Sequence, residues 1–544
     1  RERDIPLPLF LITACASNDG VNENHLSALE APFRERVKTL SADRMEGRSP
    51  SSLGEARTVA YLTEEFRRIG LQPANGQSFS QPVPLVSVTA ENITPLEISG
   101  ADSNKSLAFG EDMMVWTKRL TDKIELSGSE LVFAGYGIVA PEHDWNDYAG
   151  LDVKGKTVVV LVNDPGFATQ DSDVFNGNTM TYYGRWTYKY EEAAKQGASG
   201  ILIVHETAAA GYPWAVVTGG WTGEQFDLVA ADKNMSRVRV EGWLSQEAAT
   251  EVFAMAGQSY PVLRDAAKER GFKAVPLGLN AAVSFTNSIR QSESQNVVGY
   301  LPGSKRPDEY IVYSGHWDHL GLAPEGEDRI FNGAKDNAAG IAMILGIAEE
   351  FAKGERPERS VVFLAVTAEE SGLLGSAWYG SNPLFPLEKT VANINIDAPT
   401  LIGPTNDVVL VGKGSSELED ILEKLAKGQG RVLVQEPTPE KGFFYRSDHF
   451  NFSKRGVPVI YAKGGTDHRE KGSEYGLAWD REYVSQRYHK VSDEYDPNWD
   501  LRGLVEDLQL MHQLGSKLAN SKGWPNWYKG NEFRAIRDAS ADQR

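Results

Sequence analysis

The chain has 544 residues, of which 41% are hydrophobic and 10% aromatic, so it can form more than one globular core. Its 56 basic and 75 acidic side chains give a formal net charge of −19, which argues against nucleic acid as a partner. Its single cysteine, Cys15, excludes an intrachain disulfide and any zinc site built from several thiolates. A bound metal would therefore need histidine and carboxylate ligands.

The N-terminus has the pattern of a secretion signal. An apolar run at 5–14 follows two arginines, and residues 11–15 resemble a bacterial lipobox ending at Cys15. We therefore expect a signal peptide with a lipobox at 1–15, and a small, polar tether at 16–28. These features predict secretion across the inner membrane, to the periplasm or to an outer-membrane anchor through lipidated Cys15. The alternative is an incidental thiol near a frayed terminus.

The next segments predict one long helix and one separate α/β unit. The pattern from Ala31 to Leu71 is helical, with apolar residues at spacings of three and four over 59–69, and Gly70 ends the helix. Between about 125 and 275, the apolar runs 156–162 and 200–204 predict strands of a compact α/β unit. A helix at Tyr190 to Gln196 precedes the second of these strands. No polar cluster in this unit suggests chemistry.

From about residue 292, short apolar strands alternate with helices. The pattern predicts an α/β fold with a mostly parallel mixed sheet and helices on both faces. The predicted strands are 310–313, 361–366, 391–396, 408–411 and 457–461, and the predicted helices are 337–353, 417–427 and 504–516. Sites in such sheets form beyond the carboxyl ends of the strands.

Two segments after predicted strands offer metal ligands. His316 and Asp318 are two residues apart on extended chain, so both side chains face one way, and the carboxylate could fix the imidazole for metal binding. His319 is an alternative ligand with a different phase. Asp336 lies at a helix start, where it could cap the helix or bridge two cations.

Four further residues complete the inventory. Glu369 and Glu370 follow a buried strand, where adjacent carboxylates are costly without a nearby cation. Asp397 lies at another strand end, and His489 lies in a polar loop. Each residue alone is unremarkable. Together with the preceding segments they supply the imidazole and carboxylate groups that two zinc ions sharing one bridging carboxylate require.

In these segments the chain resembles the M28 family of zinc peptidases, in particular bacterial members with an inserted protease-associated (PA) domain. Residues 40–48 and the C-terminal Trp-Pro-Asn-Trp at 524–527 also resemble that family. The resemblance implies, besides the signal and tether, an N-terminal part of the peptidase domain at 29–124, a PA domain at 125–275, a catalytic zinc-peptidase domain at 286–530 and a tail at 531–544.

The resemblance also implies the ligand set. One zinc ion would be held by His316 and Asp397, the other by Glu370 and His489, and Asp336 would bridge the two. We therefore expect two Zn²⁺ per chain. The activated water would replace any covalent nucleophile.

Other roles follow from the same resemblance. Glu369 would act as the general base and Asp318 would orient His316. Tyr445 could donate a hydrogen bond to the tetrahedral oxyanion, and Trp317 could line the mouth of the pocket. Both could equally be packing residues.

Four more details are open to a structural check. We expect a cis peptide bond between Asp336 and Asn337, and a cation close to the metals at Lys335, where the family often has Asp or Asn. Residues 448–449 are expected to anchor a loop near the metals. His468, in a glycine-rich stretch, is expected at the surface.

The expected activity is hydrolysis of peptide or protein substrates, with an aminopeptidase favoured and a carboxypeptidase or dipeptidase as alternatives. An M20-type peptidase is disfavoured because its extra domain usually follows the Glu-Glu pair. A one-zinc glutaminyl-cyclase-like enzyme and a catalytically dead PA-domain binding protein are further alternatives. The sequence does not predict the oligomeric state, and the PA domain could restrict access to the cleft.

Overall fold

The structure, a computed structural model, describes residues 23–544, with side chains from Ala28 onward. The predicted signal peptide, Cys15 and most of the predicted tether lie outside the described residues, so secretion and lipidation stay predictions. Within the described range, no helix is both long enough and apolar enough to cross a membrane.

Two helices begin the described chain, α1 (Glu23–Leu40) and α2 (Leu53–Ile69). The hydroxyl of Ser52 accepts a hydrogen bond from the amide of Glu55 and caps the start of α2. Gly70 has a φ of 91° and ends the helix, because a residue without a side chain tolerates this left-handed conformation. The predicted end of the helix at Gly70 is confirmed, but the helical pattern predicted over 31–71 is interrupted, because a short 3₁₀ segment (Asp43–Arg48) with two non-helical residues separates α1 from α2.

The middle of the chain forms strands and short helices. The strands are β1 (Gln72–Pro73), β2 (Ser80–Glu91), β3 (Leu96–Ser99), β4 (Asn104–Leu107), β5 (Met113–Trp116), β6 (Lys123–Phe133), β7 (Val139–Ala140), β8 (Trp145–Asn146), β9 (Thr157–Leu161), β10 (Gly200–His205), β11 (Glu224–Leu228) and β12 (Val240–Ser245). The helices are α3 (Pro165–Thr169), α4 (Trp186–Lys195), α5 (Thr207–Ala210), α6 (Trp214–Gly220), α7 (Gln246–Met255) and α8 (Tyr260–Ala266).

Strands within residues 125–275, called the insert below, are continuous with the large sheet, because β6 pairs with both β9 and β13. Strand β10 pairs in parallel with β9 and β12, and β12 pairs antiparallel with β5. The helix predicted to begin at Tyr190 begins earlier, at Trp186. Strands before residue 125 also join the apolar core of the insert, through residues such as Leu96 and Met113. This core is therefore wider in sequence than the insert itself.

The C-terminal half forms the large sheet. Its strands are β13 (Val275–Leu301), β14 (Arg306–His316), β15 (Arg359–Val366), β16 (Thr390–Asn395), β17 (Asp407–Leu410), β18 (Val432–Gln435) and β19 (Val459–Gly464). Its helices are α9 (Gly340–Lys353), α10 (Leu374–Ser381), α11 (Leu418–Gly428), α12 (His449–Ser453), α13 (Gly472–Gln486), α14 (Arg502–Asn520) and α15 (Arg534–Ala539).

These strands lie in the order β13–β15–β14–β16–β19–β17–β18. All neighbours are parallel except β13 with β15 and β19 with β17. The predicted mostly parallel mixed sheet is confirmed.

Helices cover both faces of this sheet. Val361 and Phe363 of β15 belong to the apolar core that includes α9 and α14. Val362 and Leu364 point the other way, into a second core with Tyr379 of α10. Successive side chains of a strand alternate between faces, so a continuous apolar run is buried on both sides.

The carboxyl ends of the central strands position the site. β14 ends at His316, β15 ends three residues before Glu369, and β16 ends two residues before Asp397. Because these three strands are parallel neighbours, their ends and the residues that follow meet at one edge of the sheet.

Candidate metal centre and active site

His316 is the centre of the cluster and is 1% exposed. Its Nδ1 lies 3.2 Å from the backbone oxygen of Asp318. Its Nε2 lies 3.3 Å from a carboxylate oxygen of Asp336 and 3.3 Å from one of Asp397. The backbone contact can hold the proton on Nδ1, which leaves the lone pair of Nε2 directed at the carboxylates, as a metal ligand requires.

The carboxylate of Asp318 has a different partner from the predicted one. It lies 3.8 Å from Nδ1 of His316, beyond hydrogen-bond distance. It accepts hydrogen bonds from the backbone amides of Glu369, at 3.1 Å, and Glu370, at 3.4 Å. The prediction that this carboxylate orients His316 is therefore corrected: the backbone oxygen of Asp318 contacts the ring, and the carboxylate positions the Glu-Glu segment.

A second buried carboxylate positions Asp336. The peptide bond between Asp336 and Asn337 is cis, as expected. Asp493, 1% exposed, accepts hydrogen bonds from the amides of Lys335, at 3.2 Å, and Asp336, at 3.1 Å. The sequence pattern did not single out Asp493, although this residue lies four residues after His489 in the same polar segment.

The other half of the cluster is built on Glu370. Nε2 of His489 lies 3.0 Å from one oxygen of Glu370 and 3.4 Å from Oδ2 of Asp336. The other oxygen of Glu370 lies 2.7 Å from Nδ1 of His319. Because Oδ1 of Asp336 faces His316, this carboxylate lies between two histidines, as a bridging ligand would.

Potential ligand atoms converge in two overlapping groups, with the atoms of each group within 4.8 Å of one another. These groups are His316, Glu369 and Asp397, and His316, Asp336 and Glu370. The donors are imidazole and carboxylate groups, which suit zinc. Nε2 of His489 lies close to the carboxylates of Glu370 and Asp336 but is in hydrogen-bond geometry with neither. The close carboxylates and this imidazole nitrogen fit a site for divalent cations.

The two adjacent glutamates differ in their affinity for a proton. Burial raises the pKa of Glu369 well above its ordinary range, and the charges of Glu370 and Asp397 act in the same direction. Burial also acts to raise the pKa of Glu370, but His489 and His319 outweigh it and lower this pKa to about 2. Such a split distinguishes a residue that exchanges a proton, Glu369, from an ionised ligand, Glu370.

Neither predicted pocket residue is placed as expected. Trp317 is 1% exposed, belongs to the core with α9 and donates to the backbone oxygen of Gln295 at 3.0 Å. Tyr445 is 9% exposed and donates its hydroxyl proton to Glu532 at 3.1 Å. The predicted roles are therefore wrong: Trp317 is a core residue, and the proton of Tyr445 is bound to a carboxylate.

Tyr488 lies beside the cluster, next to His489 in the chain. Its ring stacks on His489 with centroids 3.9 Å apart, and the side chain is partly exposed. Partial removal from water raises its pKa well above the ordinary value, and the nearby carboxylates of Asp336 and Glu370 contribute. The hydroxyl therefore stays protonated and can donate. Its adjacency to His489 was the only sequence signal.

The loop before α12 is anchored as expected. Ser447 donates to Oδ2 of Asp397 at 2.6 Å, and Asp448 accepts from the hydroxyl of Ser376 at 2.6 Å. His449 is fully buried. His468 is also buried and accepts hydrogen bonds from two backbone amides, so its predicted surface position is wrong.

Comparison with known proteins agrees with this geometry. Residues 296–512 match the family model of Peptidase family M28. Aminopeptidase NAALADL1 of Rattus norvegicus is 31% identical over 245 residues, which cover 41% of this chain and 30% of that protein. A probable zinc metalloprotease of Pyricularia oryzae is 32% identical over 143 residues, 26% of this chain and 25% of that protein. The chain thus spans less than a third of these relatives' lengths.

Among solved structures, an aminopeptidase from Aneurinibacillus sp. strain AM-1 aligns over 91% of this chain and 95% of its own. Its sequence identity is 19% and its TM-score 0.49. The match to Peptidase family M28 covers the segment that contains the metal cluster, and the donor set together with this family match supports a zinc metallopeptidase.

Proposed function

We propose that this protein is a zinc metallopeptidase that binds two zinc ions and acts as an aminopeptidase. The observation that supports it most strongly is Asp336, whose two carboxylate oxygens face His316 and His489 separately. His316 and Asp397 would hold one ion, Glu370 and His489 the other. The aminopeptidase assignment follows the names of similar proteins, with carboxypeptidase and dipeptidase as alternatives.

When bound, the zinc ions would polarise the scissile carbonyl and lower the pKa of the attacking water. Glu369 accepts a proton from that water and delivers it to the leaving amine, a role that its raised proton affinity suits. Asp318 holds the backbone of Glu369 in position. Water attacks the carbonyl carbon, the C–N bond breaks, and a carboxylate and an amine leave.

Tyr488 is the group we propose as a donor to the tetrahedral oxyanion. Replacing it with Phe removes one hydrogen bond that forms only in the transition state, so kcat should fall by about a hundredfold to a thousandfold with little change in KM. Steady-state kinetics on Leu-p-nitroanilide would measure kcat and KM of this variant. The control is Tyr300→Phe, because the ring of Tyr300 packs on Phe385. An unchanged kcat in Tyr488→Phe would exclude the role.

The overall proposal is tested by metal content and a substrate panel. We expect about two zinc ions per chain by mass spectrometry, and turnover of Leu-p-nitroanilide, which has a free α-amine and no carboxylate. Turnover only of N-blocked peptides with a free C-terminus would support a carboxypeptidase. One zinc ion and cyclisation of N-terminal glutamine would support the cyclase-like alternative, and no zinc and no turnover would support a binding protein.

A further inference from the structure

The insert packs directly against the segment that leads into the metal centre. The ring of Tyr182 lies 6.0 Å from that of Tyr445 and 5.0 Å from that of Phe450. The amide of Met180 donates to the backbone oxygen of Pro439 at 3.2 Å. We call this contact between residues 178–186 and 435–450 the seam.

Two arginines lie at the seam without an acidic partner. Arg185 comes from the insert and is 8% exposed, and Arg446 comes from the catalytic half and is half-buried. Among the described residues, neither guanidinium forms an ion pair or donates a hydrogen bond, and the Nε atom of each is buried without a partner. Their recorded contacts are with aromatic rings: Arg185 with Trp186 at 5.7 Å, and Arg446 with Phe443 at 5.5 Å and Tyr212 at 5.9 Å.

This arrangement is exceptional within the same molecule. Of the six buried arginines in the described range, the other five donate to carboxylate or carbonyl oxygens. Arg431 binds Asp507 at 2.6 Å, and Arg359 binds Glu309. A buried charge without such partners destabilises the folded protein. Stable packing of the seam therefore does not by itself explain an arginine at the position of Arg185.

The groups that most affect the pKa values of Arg185 and Arg446 include no carboxylate. Burial, together with the neighbouring charge of Arg446, lowers the pKa of Arg185 to about 9. The groups that act in the opposite direction are tyrosine hydroxyls, including that of Tyr212, and no carboxylate is among them. Burial also lowers the pKa of Arg446, and the groups that act in the opposite direction are the hydroxyls of Tyr212 and Tyr488. The two like charges therefore lie near each other, and neither forms an ion pair with a carboxylate among the described residues.

The pair is also close to the reacting groups. Arg446 directly precedes Ser447, whose hydroxyl donates to the proposed metal ligand Asp397. Tyr488, which neighbours Arg446, stacks on the proposed ligand His489. An anion at the arginines would therefore lie beside a peptide bound at the metal centre.

We propose that Arg185 and Arg446 together bind a carboxylate of the substrate, so that the enzyme prefers short peptides that bring this carboxylate to the seam. Guanidinium groups match the planar geometry of a carboxylate and bind it through paired hydrogen bonds. The carboxylate is either the C-terminus of a di- or tripeptide or the side chain of Asp or Glu. This inference rests on the proposed peptidase function.

The test compares peptide pairs that differ only in one carboxylate. For the zinc-loaded full chain, kcat/KM is measured on Leu-Gly against Leu-Gly-amide, and on Leu-Asp-amide against Leu-Asn-amide. In one pair we expect the ratio of kcat/KM for the acid to that for the amide to be on the order of tenfold or more. In Arg185→Gln and Arg446→Gln this ratio should fall towards one. Lys at either position should restore part of it. Arg239→Gln, an exposed arginine of the insert, should keep the wild-type ratio.

Which pair responds identifies the source of the carboxylate. A preference for Leu-Gly over its amide indicates the C-terminus, and one for Leu-Asp-amide indicates the side chain. Equal rates within both pairs would overturn the inference while leaving the peptidase proposal intact. Failure of every peptide and of Leu-p-nitroanilide would refute the peptidase proposal instead.

A binding measurement tests, without turnover, whether Arg185 contributes to binding of the peptide carboxylate. Leu-Gly and Leu-Asp-amide are titrated calorimetrically into zinc-loaded Glu369→Gln, with and without Arg185→Gln. We expect Kd for one of the two peptides to rise on the order of tenfold or more when the arginine is lost. Thermal unfolding should be unchanged or shifted upward by Arg185→Gln, because an unpaired buried charge is removed. Unchanged Kd values for both peptides, or a large loss of thermal stability with no change in Kd, would mean that the arginine is structural.

Discussion

Glu369→Gln is expected to lower kcat by about 10²–10⁴-fold while the protein keeps its zinc. The amide has nearly the shape of the carboxylate but cannot accept and return a proton. Glu369 is the member of the Glu-Glu pair whose pKa is raised by burial and by the charges of Glu370 and Asp397. Steady-state kinetics on Leu-p-nitroanilide, together with metal analysis of the same preparation, would measure both effects.

The matched control is Glu355→Gln, an exposed glutamate that should leave kcat and zinc content unchanged. Glu370→Gln provides the contrasting case, because it removes a proposed ligand and should lose metal as well as turnover. If Glu369→Gln retained full kcat, or if it lost zinc as readily as Glu370→Gln, the separation of base and ligand would be wrong.

Asp336→Asn is expected to release at least one zinc ion and to reduce kcat/KM by more than the roughly 10- to 100-fold typical of losing an outer-shell partner. The reason is geometric, since Oδ1 lies 3.3 Å from His316 and Oδ2 lies 3.4 Å from His489. An amide keeps one oxygen and no charge, so it cannot bridge two cations in the same way. Metal content after exhaustive dialysis measures the loss.

Thermal unfolding provides a second readout for the same variant. Metal bound only by the folded chain stabilises it by mass action, so a chelator should lower the wild-type Tm and should shift Asp336→Asn much less. Asp102→Asn, at an exposed position, should behave like the wild type. Two tightly held zinc ions in Asp336→Asn would contradict the bridging role.

The distribution of roles around the cluster extends beyond the candidate ligands. Asp318 and Asp493 are buried carboxylates whose recorded bonds are largely to backbone amides of the segments that hold Glu369, Glu370 and Asp336. These bonds hold the backbone of the ligand-bearing segments in place and leave the side-chain oxygens of the candidate ligands available to bind metal. Positioning of this kind restricts the site to the geometry that a metal needs.

The sequence by itself determined the fold class and the chemical inventory. Continuous apolar runs such as 361–366 are strands buried on both faces, because period-two alternation disappears when both sides are covered. Polar residues at the ends of such strands must meet at one edge of a parallel sheet, which is why His316, Glu369 and Asp397 could be grouped without coordinates. Less regular elements escaped prediction: α10 and α13 were missed, and the strand predicted at 457–461 is β19, Val459–Gly464.

Only the tertiary structure decided which side chains face the cleft and what each one binds. Trp317 alternates with His316 along the chain and lies in the core, and the hydroxyl of Tyr445 is bound by Glu532 from the remote C-terminal segment. Arg185 and Arg446 lie near each other because the insert packs against the C-terminal half of the chain. Contacts between remote segments depend on how whole elements pack, and no local pattern of residues encodes them.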